Sequence, residues 1–159
     1  MNFASSPCLF SFERAHTDPL AFIPLGVRFY LDRCGLRLSL AQWQWLPEAS
    51  RARLASIEPA LGETSASAFG ALLTALMADA PGGPIERQTP EGADMLAPDR
   101  VPDAVVSQAA QHGVDGPSQQ AWTALSVGQR YALAKLARKA RRSDDFAAAM
   151  AEFGIVSRG

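Results

Sequence analysis

One cassette occurs twice in this chain and constrains its fold more than any other feature. Trp43-x2-Leu46-x4-Arg51-x2-Leu54 returns as Trp122-x2-Leu125-x4-Arg130-x2-Leu133, with identical internal spacing. The windows 43–57 and 122–136 share five identities, where chance gives about one, and Ile57 faces Leu136 as a similar pair. Gly35 and Gly113 each close a helical pattern eight and nine residues before the respective tryptophan. Internal duplication follows. The expected fold is all-α: a compact helical domain of two related repeats packed about a pseudo-two-fold, with an irregular N-terminal arm.

The elements around the cassettes support a helical fold. Residues 1–24 form the arm, where Pro7, Pro19 and Pro24 interrupt Phe10, Phe12 and Phe22 too often for a helix. Residues 9–13 suit a short extended piece, and the phenylalanines are expected to pack the arm across the helical body. Repeat one covers 25–62. Val27, Tyr30, Leu31 and Cys34 recur at i, i+3, i+4 and i+7, one apolar stripe, and Gly35 is placed to stop the helix in a left-handed conformation. Ser39-x-x-Gln42 is a capping box for a short helix through Trp43, and Pro47 suits the N1 position of the next. A connecting helix is expected over 67–80, with Phe69, Leu72, Leu73, Leu76 and Met77 on one side.

Four prolines and three glycines make 81–100 a linker that forbids a regular helix, and a candidate mobile or partner-contacting segment. Repeat two and a final helix cover 101–154. Pro102 is expected at N1, Val105, Val106 and Ala109 form a stripe, and Ser118, Ser126 and Ser143 are N-cap candidates. Leu133, Leu136, Ala137 and Ala140 form the stripe of the penultimate helix. Phe146, Ala149, Met150 and Phe153 form that of the last, which Gly154 ends.

Size and composition exclude several classes. At 159 residues the chain can bury roughly two-thirds of its unfolded surface, enough for a proper core in one domain. Hydrophobic residues at 48% against 19% charged describe a globular protein. A net charge of −1 and a pI near 6.1 argue against nucleic-acid or membrane-surface binding. No run approaches the roughly eighteen apolar residues of a membrane span, and no basic leader precedes one, so a soluble cytoplasmic protein is expected. Cys8 and Cys34 lie in no CxxC pair; a single disulfide between them and two reduced thiols are equally compatible with the count.

Candidate chemistry is sparse. Arg51 and Arg130 hold equivalent places in the two copies. They are read as anchors, each stem on the tryptophan and each guanidinium on helix-end carbonyls or a carboxylate, or alternatively as an anion site together with Arg28. Trp43 and Trp122 are read as core. Trp45 has Ala124 at its counterpart position, lies off the shared pattern, and is the better candidate for an exposed partner contact. Arg138, Lys139, Arg141 and Arg142, beside Lys135, form a basic cluster at a helix C-terminus that suits an acidic protein surface. Cys8, His16, Cys34 and His112 lack the short ligand spacings of a zinc site, so no metal is expected. Cys34 sits on an apolar stripe, which marks an inert thiol rather than a nucleophile, and Gly82-Gly83 makes no phosphate loop. Neither catalytic residues nor a cofactor are assigned.

The run Phe12-Glu13, then Ile23-Pro24-x3-Arg28-x2-Leu31-Asp32-x-Cys34-Gly35-x2-Leu38-Ser39-Leu40-x2-Trp43, resembles the nitrate reductase-associated proteins. So does Trp122-x2-Leu125-x4-Arg130-x-Ala132-Leu133-x-Lys135-Leu136, followed by Phe146-x2-Ala149-x2-Glu152-Phe153-Gly154. The resemblance spans nearly the whole chain outside about 58–100. It implies a small, soluble, helical protein that assists assimilatory nitrate reductase to become or remain active, with nitrate reductase as partner. It carries over no catalytic residue, while Arg28, Asp32, Arg51 and Arg130 match the family pattern. Two function classes therefore stand: a non-catalytic accessory protein acting through protein contact, and a binder of a small molecule or cofactor, its anionic ligand held between the repeats. An enzyme using Cys34 and His112 is a distant third.

Overall fold

Each strong apolar period of the sequence becomes a helix in the computed structural model, which describes residues 7–81, 85–90, 98–139 and 141–155. Among these the fold is mostly helical. In chain order the elements are α1 (Ser11–Arg14), α2 (Leu25–Cys34), β1 (Leu36–Arg37), α3 (Leu40–Trp45), α4 (Glu48–Ala55), α5 (Glu63–Leu76), β2 (Glu86–Arg87), α6 (Asp103–Gln111), α7 (Gln119–Ala124), α8 (Val127–Ala137) and α9 (Asp144–Glu152). Two compact units result: residues 13–91 with the first nine form one, and 92–159 with Phe10–Phe12 form the other.

In the first unit α5 packs against α2 and α4. Val27, Phe29, Tyr30, Trp43, Leu46, Leu54, Phe69 and Leu73 are its core, each essentially closed to solvent. Tyr30 stacks on Phe69 with ring centroids 5.0 Å apart and meets the edge of Phe29 at 4.8 Å, geometries that suit aromatic quadrupoles. The Tyr30 hydroxyl donates to the Glu58 carbonyl at 2.6 Å and accepts from the Ala60 amide at 3.2 Å, so the stretch after α4 is tied to α2. Pro24 precedes α2 and offers no side-chain cap. Glu13 supplies one from a distance, its carboxylate accepting from the Leu25 amide at 2.9 Å. An acidic group there complements the helix dipole.

In the second unit α8 lies between α6 and α9. Its residues Gly128, Arg130, Tyr131, Ala132, Leu133, Ala134, Leu136 and Ala137 are buried, so it is the central helix and not a one-faced surface helix. Val105, Ala109, Trp122, Phe146, Ala149 and Met150 close the core around it. Phe10 stacks on Phe12 at 5.6 Å and meets Phe153 at 5.1 Å.

Several expectations from the sequence are corrected. Residues 11–14 form a turn of helix where an extended piece is expected. Phe22 is 60% exposed, and the residues of that stretch that enter the core are Leu20 and Ile23. Pro47 and Pro102 are N-caps and not N1 residues: their ψ angles of 150° and 142° are extended, and the helices begin one residue later. The helix expected over 67–80 runs instead over Glu63–Leu76, because Gly62 serves as its N-cap and the turn after Met77 ends it. Within the Pro/Gly-rich stretch, β2 pairs antiparallel with β1, Leu36 opposite Arg87 and Arg37 opposite Glu86. Ala140, Gly82-Gly83 and residues 91–97 lie outside the described residues.

Candidate functional site

The two cassettes fold into the same local corner. In each, a short helix ends on a leucine with extended backbone, φ −65° and ψ 140° at Leu46, φ −69° and ψ 151° at Leu125. A second helix then starts after one linking residue. The caps differ between the copies: the full capping box opens the first helix in one, Ser39 with Gln42, and the second helix in the other, Ser126 with Gln129, where the first copy has Pro47. The arginine five residues after each leucine returns to its carbonyl: Arg51 Nε donates to Leu46 O at 3.1 Å, and Arg130 Nη1 donates to Leu125 O. A leucine carbonyl at a helix end has no partner within the helix, and the guanidinium fork supplies one. Arg51 also donates to Leu20 O at 2.7 Å, an oxygen shared with the Trp43 indole N–H at 2.8 Å. Arg130 is buried, and that burial lowers its pKa from the ordinary arginine value. Arg28, in contrast, lies exposed on α2, and Asp32 beside it in the family pattern is buried.

Trp45 lies at the exposed end of α3, 42% accessible, while Trp43 two residues earlier is fully enclosed. Leu40, one turn before Gln44 on the same helix, is 42% accessible. The Gln44 amide donates to Ala21 O at 3.0 Å, which brings the exposed Phe22 to the neighbourhood of this helix. Phe22, Leu40 and Trp45 thus place large apolar side chains in water about α3. The equivalent of Trp45 in the second unit, Ala124, is a small exposed residue, so the corner itself does not need a tryptophan there.

The basic cluster is built by a residue the sequence reading overlooked. Gln108 is 1% exposed and donates its amide to the Lys139 and Arg141 carbonyls, both at 3.2 Å. Its carbonyl accepts from the Ser143 amide at 3.1 Å. This one side chain shapes the loop from α8 to α9, and Ser143 Oγ then caps α9 by accepting from Phe146 N. Arg138, Lys139, Arg141 and Arg142 are all exposed on that loop. Arg142 Nε donates to His112 Nδ1 at 3.1 Å, and the His112 ring lies over Phe146. The signal was present in the sequence: Gln108 and His112 fall at i+3 and i+7 from Val105, polar residues on an apolar stripe.

Both cysteines are free. Cys8 Sγ lies 3.4 Å from Ser56 O and Cys34 Sγ 3.4 Å from Ala66 O. Burial pushes both thiols above the ordinary range; Glu58 adds to this at Cys8, while at Cys34 the Arg33 guanidinium partly opposes it. A raised folded-state pKa favours folding while the thiol is protonated. That contribution is complete below the ordinary thiol pKa and is lost as pH rises through the folded value. The thiolate is the nucleophile, so iodoacetamide at pH 7 should alkylate both cysteines more slowly than a free thiol. The rate–pH midpoint should lie above that of cysteine itself; a midpoint at or below it would contradict this assignment.

Among the described residues, no group of three or more His, Cys, Asp and Glu side chains is placed to hold a metal ion. No helix among them is long and apolar enough to cross a membrane. No curated protein and no solved structure matches the chain. The family model for the conserved nitrate reductase-associated protein matches residues 9–153. That span includes the Glu13 cap of α2, the glycine that ends it, both arginine-closed corners and the last helix through Phe153, so the chain belongs to the conserved nitrate reductase-associated protein family.

Proposed function

We propose that this protein is a non-catalytic accessory protein of nitrate assimilation, acting in the cytoplasm by direct contact with nitrate reductase to support its maturation or activity. Family membership carries the reading: the family's name describes association with that enzyme. The surface about α3 supports contact as the mode of action. A tryptophan 42% exposed on α3 is the kind of anchor around which protein interfaces concentrate their binding energy. In the second unit, the exposed loop bearing Arg138, Lys139 and Arg142 is a separate basic patch that suits an acidic partner surface. The two units are read as related repeats, on the strength of the shared corner geometry and the arginine-to-leucine carbonyl bond in each.

The test is a tagged pull-down from nitrate-grown cells with the unaltered chain and with Trp45→Ala. The unaltered chain should recover nitrate reductase, and the variant should lose it by roughly thirtyfold or more if Trp45 is an interface anchor worth about 2 kcal/mol. Recovery unchanged in the variant would move the docking face away from α3. A strain lacking the protein but with normal nitrate reductase activity and protein level would remove the accessory role.

A further inference from the structure

A polar cleft opens in the first unit where α2, α5 and β2 meet. Its volume is about 540 Å³, and it is lined by Arg33, Cys34, Glu63, Ala66, Ser67 and Arg87. Three features of its chemistry stand out. First, Arg33 is incompletely satisfied. Its Nη2 donates to the Leu61 carbonyl and pairs with Glu63 Oε1 at 3.5 Å, but its Nε is buried with no hydrogen-bond partner. A buried charged donor without an acceptor is costly, and such groups are uncommon enough to call for an explanation. Second, the carboxylate that faces it is weakly held. The Glu63 side chain is 91% exposed and meets Arg33 at one long distance only, so it is free to swing into solvent. Third, the remaining groups around the cleft favour an anion. Arg87 adds a second guanidinium and Ser67 a hydroxyl. Glu63 is also the first residue of α5, and Gly62 before it has no side chain to cap the helix end. Cys34 donates to the Ala66 carbonyl and, held above the ordinary thiol range by burial, contributes no negative charge near neutrality.

From this geometry we infer that the cleft between Arg33 and Arg87 binds a small oxyanion, a phosphate or carboxylate group. It engages Arg33 through Nε and Nη2 together, and Glu63 moves aside to admit it. A planar guanidinium offers two parallel N–H groups to such a ligand, and the oxyanion supplies the acceptor that Nε lacks. With Glu63 in place the cleft carries two positive charges against one negative; with Glu63 displaced, both guanidiniums face the ligand. The site is independent of the partner-contact reading and shares none of its residues.

The experiment is a nitrogen-15 NMR titration of the full chain with inorganic phosphate, run against chloride at matched ionic strength, and repeated with acetate. Binding should be saturable in the millimolar range or tighter, and should move the Arg33 Nε–H resonance and the amides of residues 63–67. Arg87→Gln, on an exposed two-residue strand, should weaken it about tenfold, and Glu63→Gln should tighten it about threefold. Preference between phosphate and acetate identifies which oxyanion class the site takes. Saturation by neither probe would overturn the inference, as would shifts that leave the Arg33 Nε–H resonance unmoved. Equal affinity in the Arg87→Gln chain would do the same. If Arg33→Lys is folded by its amide spectrum, it should lose the bidentate contact and bind at least tenfold more weakly; full affinity in that variant would also refute the assignment.

Discussion

Trp43→Ala should cost about 3–5 kcal/mol of folding stability, the usual range for deleting a fully enclosed large aromatic side chain. The indole is 0% exposed and its N–H donates to the Leu20 carbonyl at 2.8 Å. The substitution therefore empties a large volume and releases one of the two bonds that hold residue 20 against the corner. Arg51 keeps the other. Against a total stability of roughly 5–15 kcal/mol, such a loss leaves a marginal protein. The midpoint of thermal unfolding should fall by roughly 6–20 °C at this chain length. Urea unfolding followed by circular dichroism measures the loss of stability, and a thermal melt the shift in midpoint. Trp45→Ala, two residues away and half in water, is the control and should fall within about 1 kcal/mol of the unaltered chain. A small effect at Trp43 together with a large one at Trp45 would invert the assignment of which tryptophan is core.

Gly35→Ala and Gly113→Ala should separate backbone strain from steric exclusion. Both glycines follow a helix in the left-handed region, at φ +65° and +70°. Alanine there costs about 1–2 kcal/mol at either site. Their surroundings differ. A Cβ on Gly113 meets nothing within 4 Å, whereas on Gly35 it would sit 2.5 Å from the Gln88 carbonyl oxygen and about 3.0 Å from the Pro90 ring. The backbone of Gln88 also donates a bond, Gln88 N to Gly35 O at 2.9 Å, so its carbonyl cannot retreat without giving up that contact. Gly35→Ala should therefore cost a further 1–3 kcal/mol and unseat β2. Faster amide exchange at Gln88 in this variant alone would report it. Equal losses in the two variants would show that residues 86–90 do not press on Gly35.

Glycine 35 also shows how far the sequence could be read. Its place after an apolar stripe that ends at Cys34 was enough to assign the left-handed helix end. Nothing local announced that Gln88, more than fifty residues on, would need the space where a side chain would be. The same division holds at the arginine anchors. The recurring cassette set Arg51 and Arg130 at matching places with helix-end carbonyls or a carboxylate as expected partners, and each donates to the leucine carbonyl of its own corner. That Arg51 shares the Leu20 carbonyl with Trp43 depends on how a proline-broken arm is laid down, which periodicity does not encode. The same ambiguity misplaced Phe22, which points to water while Leu20 and Ile23 are buried.

The longer helices, the serine caps and the glycine stops were determined by the sequence itself. Apolar periods of 3.6, serine-x-x-glutamine boxes and glycine stops act over a few residues, and their energetics are local. The start of α5 was missed by four residues for the same reason, since Gly62 is an N-cap without a side chain to advertise it. The tertiary structure alone decided what required distant residues to meet. Gln108 shapes the basic loop through three backbone groups thirty or more residues away. Glu13 caps a helix that begins twelve residues later. Arg33, unremarkable on its helix, reaches a cleft with Arg87 only because β2 returns to pair with β1. Hydrogen bonds of this kind are specified by where packing leaves a buried donor or carbonyl unpaired, and that is settled only when the whole chain has folded.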